Sequence, residues 1–171
     1  MLKSALELNG GITAPHRAAA LAGRDVLAEG GTAIEAMVAA AATIAVVYPH
    51  MYGIGGDGFW IILRPGQAPI GISACGQAAD LATPQFYEAQ GHPESIPARG
   101  GLAALTVPGT IGGREAALSL VPEARRLPLS RLLRDAIGHA RSGIAVTGNQ
   151  ADCTQEKLSV CAMCPALPTL I

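Results

Sequence analysis

The residues best suited to chemistry are the thiols of Cys161-Ala162-Met163-Cys164, with Cys153 upstream of them. Two thiolates brought together can bind zinc or cycle between dithiol and disulfide. The pattern nevertheless lacks the second CxxC, the nearby histidine and the preceding βαβ unit that those roles need. Cys75 stands just after a predicted strand, where a nucleophile could be presented, but a lone cysteine with no base beside it also reads as an inert thiol. His16, His50, His92 and His139 are far apart and show no metal-ligand spacing, so they are expected at helix ends, turns or the surface. Neither a Ser–His–Asp nor a Cys–His arrangement can be assembled from spacing. The residues by themselves therefore assign no catalytic group, no metal and no cofactor.

Gly53, Gly55 and Gly58 fit G-x-G-x-x-G, which raises the question of a dinucleotide. That turn works only between a strand and a helix, because the pyrophosphate sits on the helix N-terminus. Here an apolar helical run precedes the glycines and a β-rich run follows, so the order is reversed. What remains is a tight turn whose backbone must adopt positive φ or approach another group closely. Its N–H groups could also hold an anion.

The elements around that turn follow from periodicity and punctuation. Gly10 to Ala14 reads as a short strand, and Pro15 suits the first turn of a helix running to about Glu29, with Ala18, Ala22 and Val26 on one face and Gly30-Gly31 as the stop. Thr32 and Glu35 have capping-box spacing at the head of the apolar run Ala36 to Tyr48, which completes a helical hairpin. Phe59 to Leu63 and Pro69 to Ser73, joined through Pro65-Gly66-Gln67, predict a β-hairpin. Thr83 to Arg99, interrupted by three prolines, has no readable period. Beyond Val107-Pro108-Gly109 a helix should extend to about Leu120, interrupted early by Gly112-Gly113. Leu129, Leu132, Leu133, Ala136, Ile137 and Ala140 then mark a single helix ended by Gly143. No repeat or domain-length linker is evident, so the chain reads as one unit of layered α+β (α/β) class.

Composition narrows the partners. The chain has 171 residues, 50% hydrophobic and only 15% charged, against a usual charged fraction of about 25%. Either an alanine-rich core or a face meant for another segment accounts for so little polar material. Twelve basic and thirteen acidic residues leave a net charge of -1, which offers no field for nucleic acid or an anionic membrane. The longest apolar run falls short of the ~20 residues needed to span a bilayer. The first nine residues lack the apolar stretch of a secretory signal, so a cytoplasmic location is expected.

Three motifs in order carry a more specific message. Ala14-Pro15-His16, then Leu27-Ala28-Glu29-Gly30-Gly31-Thr32-Ala33-Ile34-Glu35-Ala36, then Tyr48-Pro49-His50-Met51-Tyr52-Gly53-Ile54-Gly55-Gly56-Asp57-Gly58-Phe59 resemble the opening of the γ-glutamyltransferase (glutathione hydrolase) family. Val107-Pro108-Gly109-Thr110-Ile111-Gly112-Gly113 is similar to its V-P-G-T segment, and the likeness runs from about Gly10 to Gln150. It implies part of an N-terminal-nucleophile hydrolase αββα sandwich. It also implies a proenzyme that cleaves itself before a threonine, whose own α-amino group then serves as base in attack on a γ-glutamyl amide such as glutathione. No cofactor is implied. The partners would be a γ-glutamyl small molecule and a small catalytic subunit.

Two departures from the family pattern shape the expectations. The threonine and most of the γ-glutamyl pocket would lie past position 171, so no catalytic residue can be carried over. One substrate contact would fall inside the chain, an arginine after the second hairpin strand that pairs with the glutamyl α-carboxylate. Cys75 occupies its place in Ser73-Ala74-Cys75-Gly76-Gln77. The family-like region is expected to cover 1–158, with 159–171 a divergent tail that suggests an interrupted reading frame shortly before Cys161. The expected function is the front part of a γ-glutamyl-transferring or -hydrolysing enzyme, inactive by itself. The alternatives are a non-catalytic subunit for a separately encoded small subunit, and a metal or redox module built on Cys153, Cys161 and Cys164.

Overall fold

The computed structural model describes residues 10–161, with side chains described as far as 158. Its elements in chain order are α1 (Arg17–Ala28), α2 (Ala33–Val47), β1 (Gly58–Ile62), β2 (Ile70–Ala74), α3 (Pro84–Ala89), α4 (Thr110–Ser119), α5 (Leu129–Leu132), α6 (Arg134–Ser142) and α7 (Gly148–Cys161). Where the sequence reads as one unit, the described residues divide into two compact units. One contains 10–53 and 125–161, the other Ile54–Ala124.

The first unit is helical and built around α2. Nine of its residues are buried, among them the consecutive runs Val38-Ala39-Ala40 and Ala42-Thr43-Ile44, so more than one face is covered. Such all-round burial is what a helix with almost no polar face requires. α1 covers one side through Ala19, Ala22, Gly23 and Val26, and α5 and α6 cover another through Leu132 and Ala136. Small side chains bring α1 and α2 close together. A Cβ on Gly23 would stand 2.8 Å from the carbonyl oxygen of Ala36 and 2.1 Å from Ile12 Cδ1.

Both helix starts are capped, one as expected and one not. Thr32 and Glu35 form the expected capping box, the Thr32 N–H donating to Glu35 Oε2 at 2.7 Å and the Glu35 N–H to Thr32 Oγ1 at 3.3 Å. α1 starts two residues later than its proline suggests, because His16 is the N-cap and its Nδ1 accepts from the Ala18 N–H at 3.2 Å. The predicted strand at Gly10–Ala14 does not form. A strand persists only where a neighbour accepts its hydrogen bonds, and Gly10 sits at φ 115°. The helix expected over Leu129–Ala140 breaks at Leu133 into α5 and α6, with Leu132 and Ala136 buried and Leu129 and Ile137 exposed. Gly143 ends α6 at φ 75°, as read.

The second unit is a β-hairpin backed by a helix. β1 and β2 pair antiparallel, with Trp60 opposite Ile72 and Ile62 opposite Ile70, and α4 packs against both strands. Gly113, expected to interrupt α4, lies inside it and permits this packing, since a Cβ there would come within 2.5 Å of Ala74 Cβ. The unreadable stretch after β2 contains α3, started by the Thr83 cap and Pro84 at its first turn. The resemblance implies two packed sheets; among the described residues there is one, of two strands.

Glu35 carries a second bond that its capping role does not reveal. Its Oε1 accepts the Leu127 N–H at 2.6 Å, and its side chain is wholly buried. Burial alone would raise its pKa, but donation from Thr32 and Leu127, with the charge of Arg126, holds it below the usual carboxylate value. A depressed pKa means stability that is present above the unfolded-state value and is lost as pH falls through the folded one. Glu35→Gln should therefore cost about 1–3 kcal/mol at neutral pH, because one buried donor then faces an amide NH2. The wild-type chain should lose that difference progressively as pH falls below the unfolded-state value and through the folded one, which thermal melts of both chains at neutral and acid pH will check.

Candidate functional site

Two of the features flagged by sequence, the glycine turn and Cys75, lie at one corner of the hairpin unit. The turn before β1 hands its carbonyl groups to the start of α4. Gly56 O accepts from the Gly109 N–H at 3.1 Å and the Thr110 N–H at 3.0 Å. Thr110 Oγ1 lies 2.7 Å from that oxygen and 2.9 Å from Asp57 O, so its single proton serves either carbonyl in turn. Thr110 is buried, as a hydroxyl so engaged should be.

This turn does not use positive φ. Gly55, Gly56 and Gly58 are absent from the left-handed glycines, which are Gly10, Gly30, Gly66, Gly91, Gly100 and Gly143. Nor do these glycines show crowding, since a Cβ on Gly55 or Gly56 would meet nothing within 4 Å and one on Gly58 would make ordinary contact with Thr110 Cα at 3.5 Å.

The far side of the corner is the chain leaving β2. Gly58 pairs with Ala74 as the last pair of the ladder, and Asp57 and Cys75 are the residues just beyond it. The Gly76 N–H donates to Asp57 Oδ1 at 3.3 Å. Backbone crowding fixes the rest. A Cβ on Gly76 would lie 1.5 Å from Val107 O, and one on Gly109 would lie 2.1 Å from Ala74 O. The segment continues as a short antiparallel bridge between Ala78 and Thr106. Cys75 is thus an exposed, unbridged thiol next to Gly76, whose N–H holds the Asp57 carboxylate.

The other sequence candidates do not join it. His16 and His139 sit in helix-end positions and His92 follows α3. His50 belongs to a polar cluster of the helical unit, its Nε2 2.7 Å from Asn149 Oδ1, which also accepts from the Tyr48 hydroxyl at 3.4 Å, while the Tyr48 and His50 rings meet edge-on. Among the described residues no three His, Cys, Asp or Glu side chains converge on a metal position, and no helix is long and apolar enough to cross a membrane. Cys153 is unbridged; Cys164, and with it the CxxC pair, lies outside the described residues. Sequence reading missed Asp57 and Thr110 as parts of the corner. The signal for both was the pairing of G-G-D-G with V-P-G-T, which the bonds from Gly109 and Thr110 to Gly56 and Asp57 bring together.

A model of the γ-glutamyltranspeptidase family matches residues 19–168. The chain belongs to that family. It is 52% identical over 160 residues to the oxamate amidohydrolase proenzyme of Klebsiella pneumoniae, covering 92% of this chain and 30% of that protein. The glutathione hydrolase-like YwrD proenzyme of Bacillus subtilis is 34% identical, with 96% and 30% covered. Among solved structures, the γ-glutamyltranspeptidase of Helicobacter pylori superposes with a TM-score of 0.80 at 33% identity, over 91% of this chain and 44% of that one. The helical unit and the small sheet are therefore part of the family fold. The chain spans about three-tenths of the length of the curated relatives it matches.

The corner makes a stability prediction. Thr110→Val, which keeps the shape and removes the hydroxyl, should cost about 0.5–1.5 kcal/mol. Thr110→Ser should be close to neutral. Gly76→Ala should be far worse than either, since its methyl group meets a carbonyl oxygen of the neighbouring segment. Amide hydrogen exchange at Ala74, Gly76 and Thr110 will rank the three.

Proposed function

We propose that this chain is the front part of an amide-cleaving proenzyme whose nucleophilic threonine lies outside these residues, and that the substrate is a small amide without a γ-glutamyl arm. The observation that carries the substrate reading is the corner at Cys75. A γ-glutamyl substrate presents an α-carboxylate, which calls for a cation able to pair with it. At that position the chain has a thiol in place of a cation, and the carboxylate of Asp57 accepts from the N–H of the next residue, Gly76. The likeness to a protein named for oxamate hydrolysis supports the same choice. In the complete enzyme the threonine hydroxyl would attack the amide carbonyl, ammonia would leave, and water would release the acid.

The hairpin supports the view that further protein covers this unit. Its outer face carries Phe59 and Ile61, 71% and 86% exposed, and Leu63 follows them. Two exposed strand edges beside such a face favour pairing with another segment. That cover is the remainder of the enzyme, either as the following polypeptide or as a separate small subunit.

A chimera tests these statements together. Residues 1–171 replace the matching front region of the Klebsiella protein, and the product is assayed for self-cleavage on a denaturing gel, for ammonia from oxamate and for p-nitroaniline from γ-glutamyl-p-nitroanilide. The expected result is cleavage into two chains and release of ammonia, with γ-glutamyl turnover at least about tenfold lower, the difference one unpaired carboxylate makes. The 171-residue chain alone should release neither product. Turnover by the homogeneous chain would overturn the placing of the nucleophile, and preference for the γ-glutamyl substrate would overturn the substrate class.

A further inference from the structure

The hairpin unit contains a cleft whose lining does not include Cys75 or Asp57. It has a volume of about 300 Å³ and is lined by Ala82, Tyr87, His92, Glu94, Ile96 and Leu105 among others. A cavity half that size already accepts a benzene-sized guest, and 300 Å³ is at the small end of ligand sites. Its floor is fixed. Tyr87 is buried, its hydroxyl donates to Leu102 O at 3.1 Å, and the His92 N–H donates to Tyr87 O at 2.8 Å. The tyrosine therefore offers its ring to a guest and not its hydroxyl.

Charge decides what kind of guest. From Gly76 to Arg99 the chain carries Asp80, Glu88 and Glu94 against the single cation Arg99. Glu94 is part of the cleft lining with His92, and neither lysine nor arginine lines it. An anion would enter against this field, whereas an ammonium group could meet Glu94 while an apolar body lies against Tyr87, Ile96 and Leu105. We infer that this cleft binds a small arylalkyl ammonium, ring inward and ammonium at Glu94. The inference does not depend on the enzyme being active.

The 171-residue chain, labelled with ¹⁵N, is titrated with benzylamine, with benzoate as the anionic counterpart and propylamine as the ammonium without a ring. Benzylamine should give saturable amide shifts centred on Ala82, Tyr87 and Leu105, with Kd of about 1 mM. Benzoate and propylamine should bind at least about threefold more weakly. Glu94→Gln should weaken benzylamine about two- to fivefold, as loss of a partly exposed ion pair does, and leave the spectrum of the free chain otherwise unchanged. Ala82→Leu, which fills the cleft, should abolish the shifts. Absence of saturable shifts, equal binding of benzoate, or shifts that map elsewhere would overturn the inference. Should Ala82→Leu not fold, the Glu94→Gln and benzoate comparisons decide it alone.

Discussion

The carbonyl oxygen of Gly56 receives two backbone N–H groups and, for part of the time, a hydroxyl, all from Gly109 and Thr110. The order of the hairpin unit depends on this meeting. It joins the turn before β1 to the start of α4, two segments that are 53 residues apart at Asp57 and Thr110. Once they are joined, α4 is held across both strands. The chain leaving β2 must then pass between Val107 and Asp57, where only glycine fits at positions 76 and 109. Glycine is required at these places by crowding and not by φ. Either glycine replaced by a larger residue would force the turn, the strand end and the helix start apart together, so these short motifs are spaced by a packing constraint.

The helical unit solves a different problem with similar means. α2 has almost no polar face and must be covered on several sides, yet its neighbours contribute mainly alanine and glycine, so little apolar area is gained per residue. Close approach compensates, because short side chains allow backbone and Cβ atoms to meet at dispersion distances. The one large cost is the buried carboxylate of Glu35. It is offset by three donors, the N–H and hydroxyl of Thr32 and the N–H of Leu127. A helix cap thereby also fixes the chain that returns to pack as α5 and α6. Nearby, Arg131 grips Glu29 with two guanidinium nitrogens and holds its carboxyl below the ordinary range, a surface link from α5 to the end of α1.

Legibility in the sequence followed the range of the interactions. The capping box, the Gly143 stop and the β-hairpin were readable because each is decided within a few residues. The break at Leu133 was not. Its six apolar positions keep helical spacing, and only the packing of Leu132 and Ala136 against α2 shows that four of them do not share one buried face. The strand at Gly10–Ala14 failed for the converse reason, since a strand needs a partner that no local pattern can supply. α3 was hidden among prolines, although Thr83 and Pro84 are a cap and a first-turn residue when read as a pair. At the candidate site Cys75 was found through resemblance, whereas Asp57 required the register of β1 on β2.

A thiol at position 75, where the family resemblance implies a carboxylate-binding arginine, alters more than one contact. Between charged partners attraction or repulsion scales inversely with distance and with the local dielectric, and Asp57 and Cys75 are both exposed, so solvent weakens whichever sign the corner holds. An arginine at position 75 would stand beside the N–H that holds the Asp57 carboxylate, which would then compete with any substrate anion for the guanidinium. With cysteine in place, the same carboxylate has a backbone N–H as its partner and otherwise faces outward. The corner thus carries negative charge on a backbone too crowded to rearrange. On the proposed substrate class, selectivity for the acyl group would rest on shape and exclusion, and a short amide that brings no distant carboxylate to this corner would satisfy both.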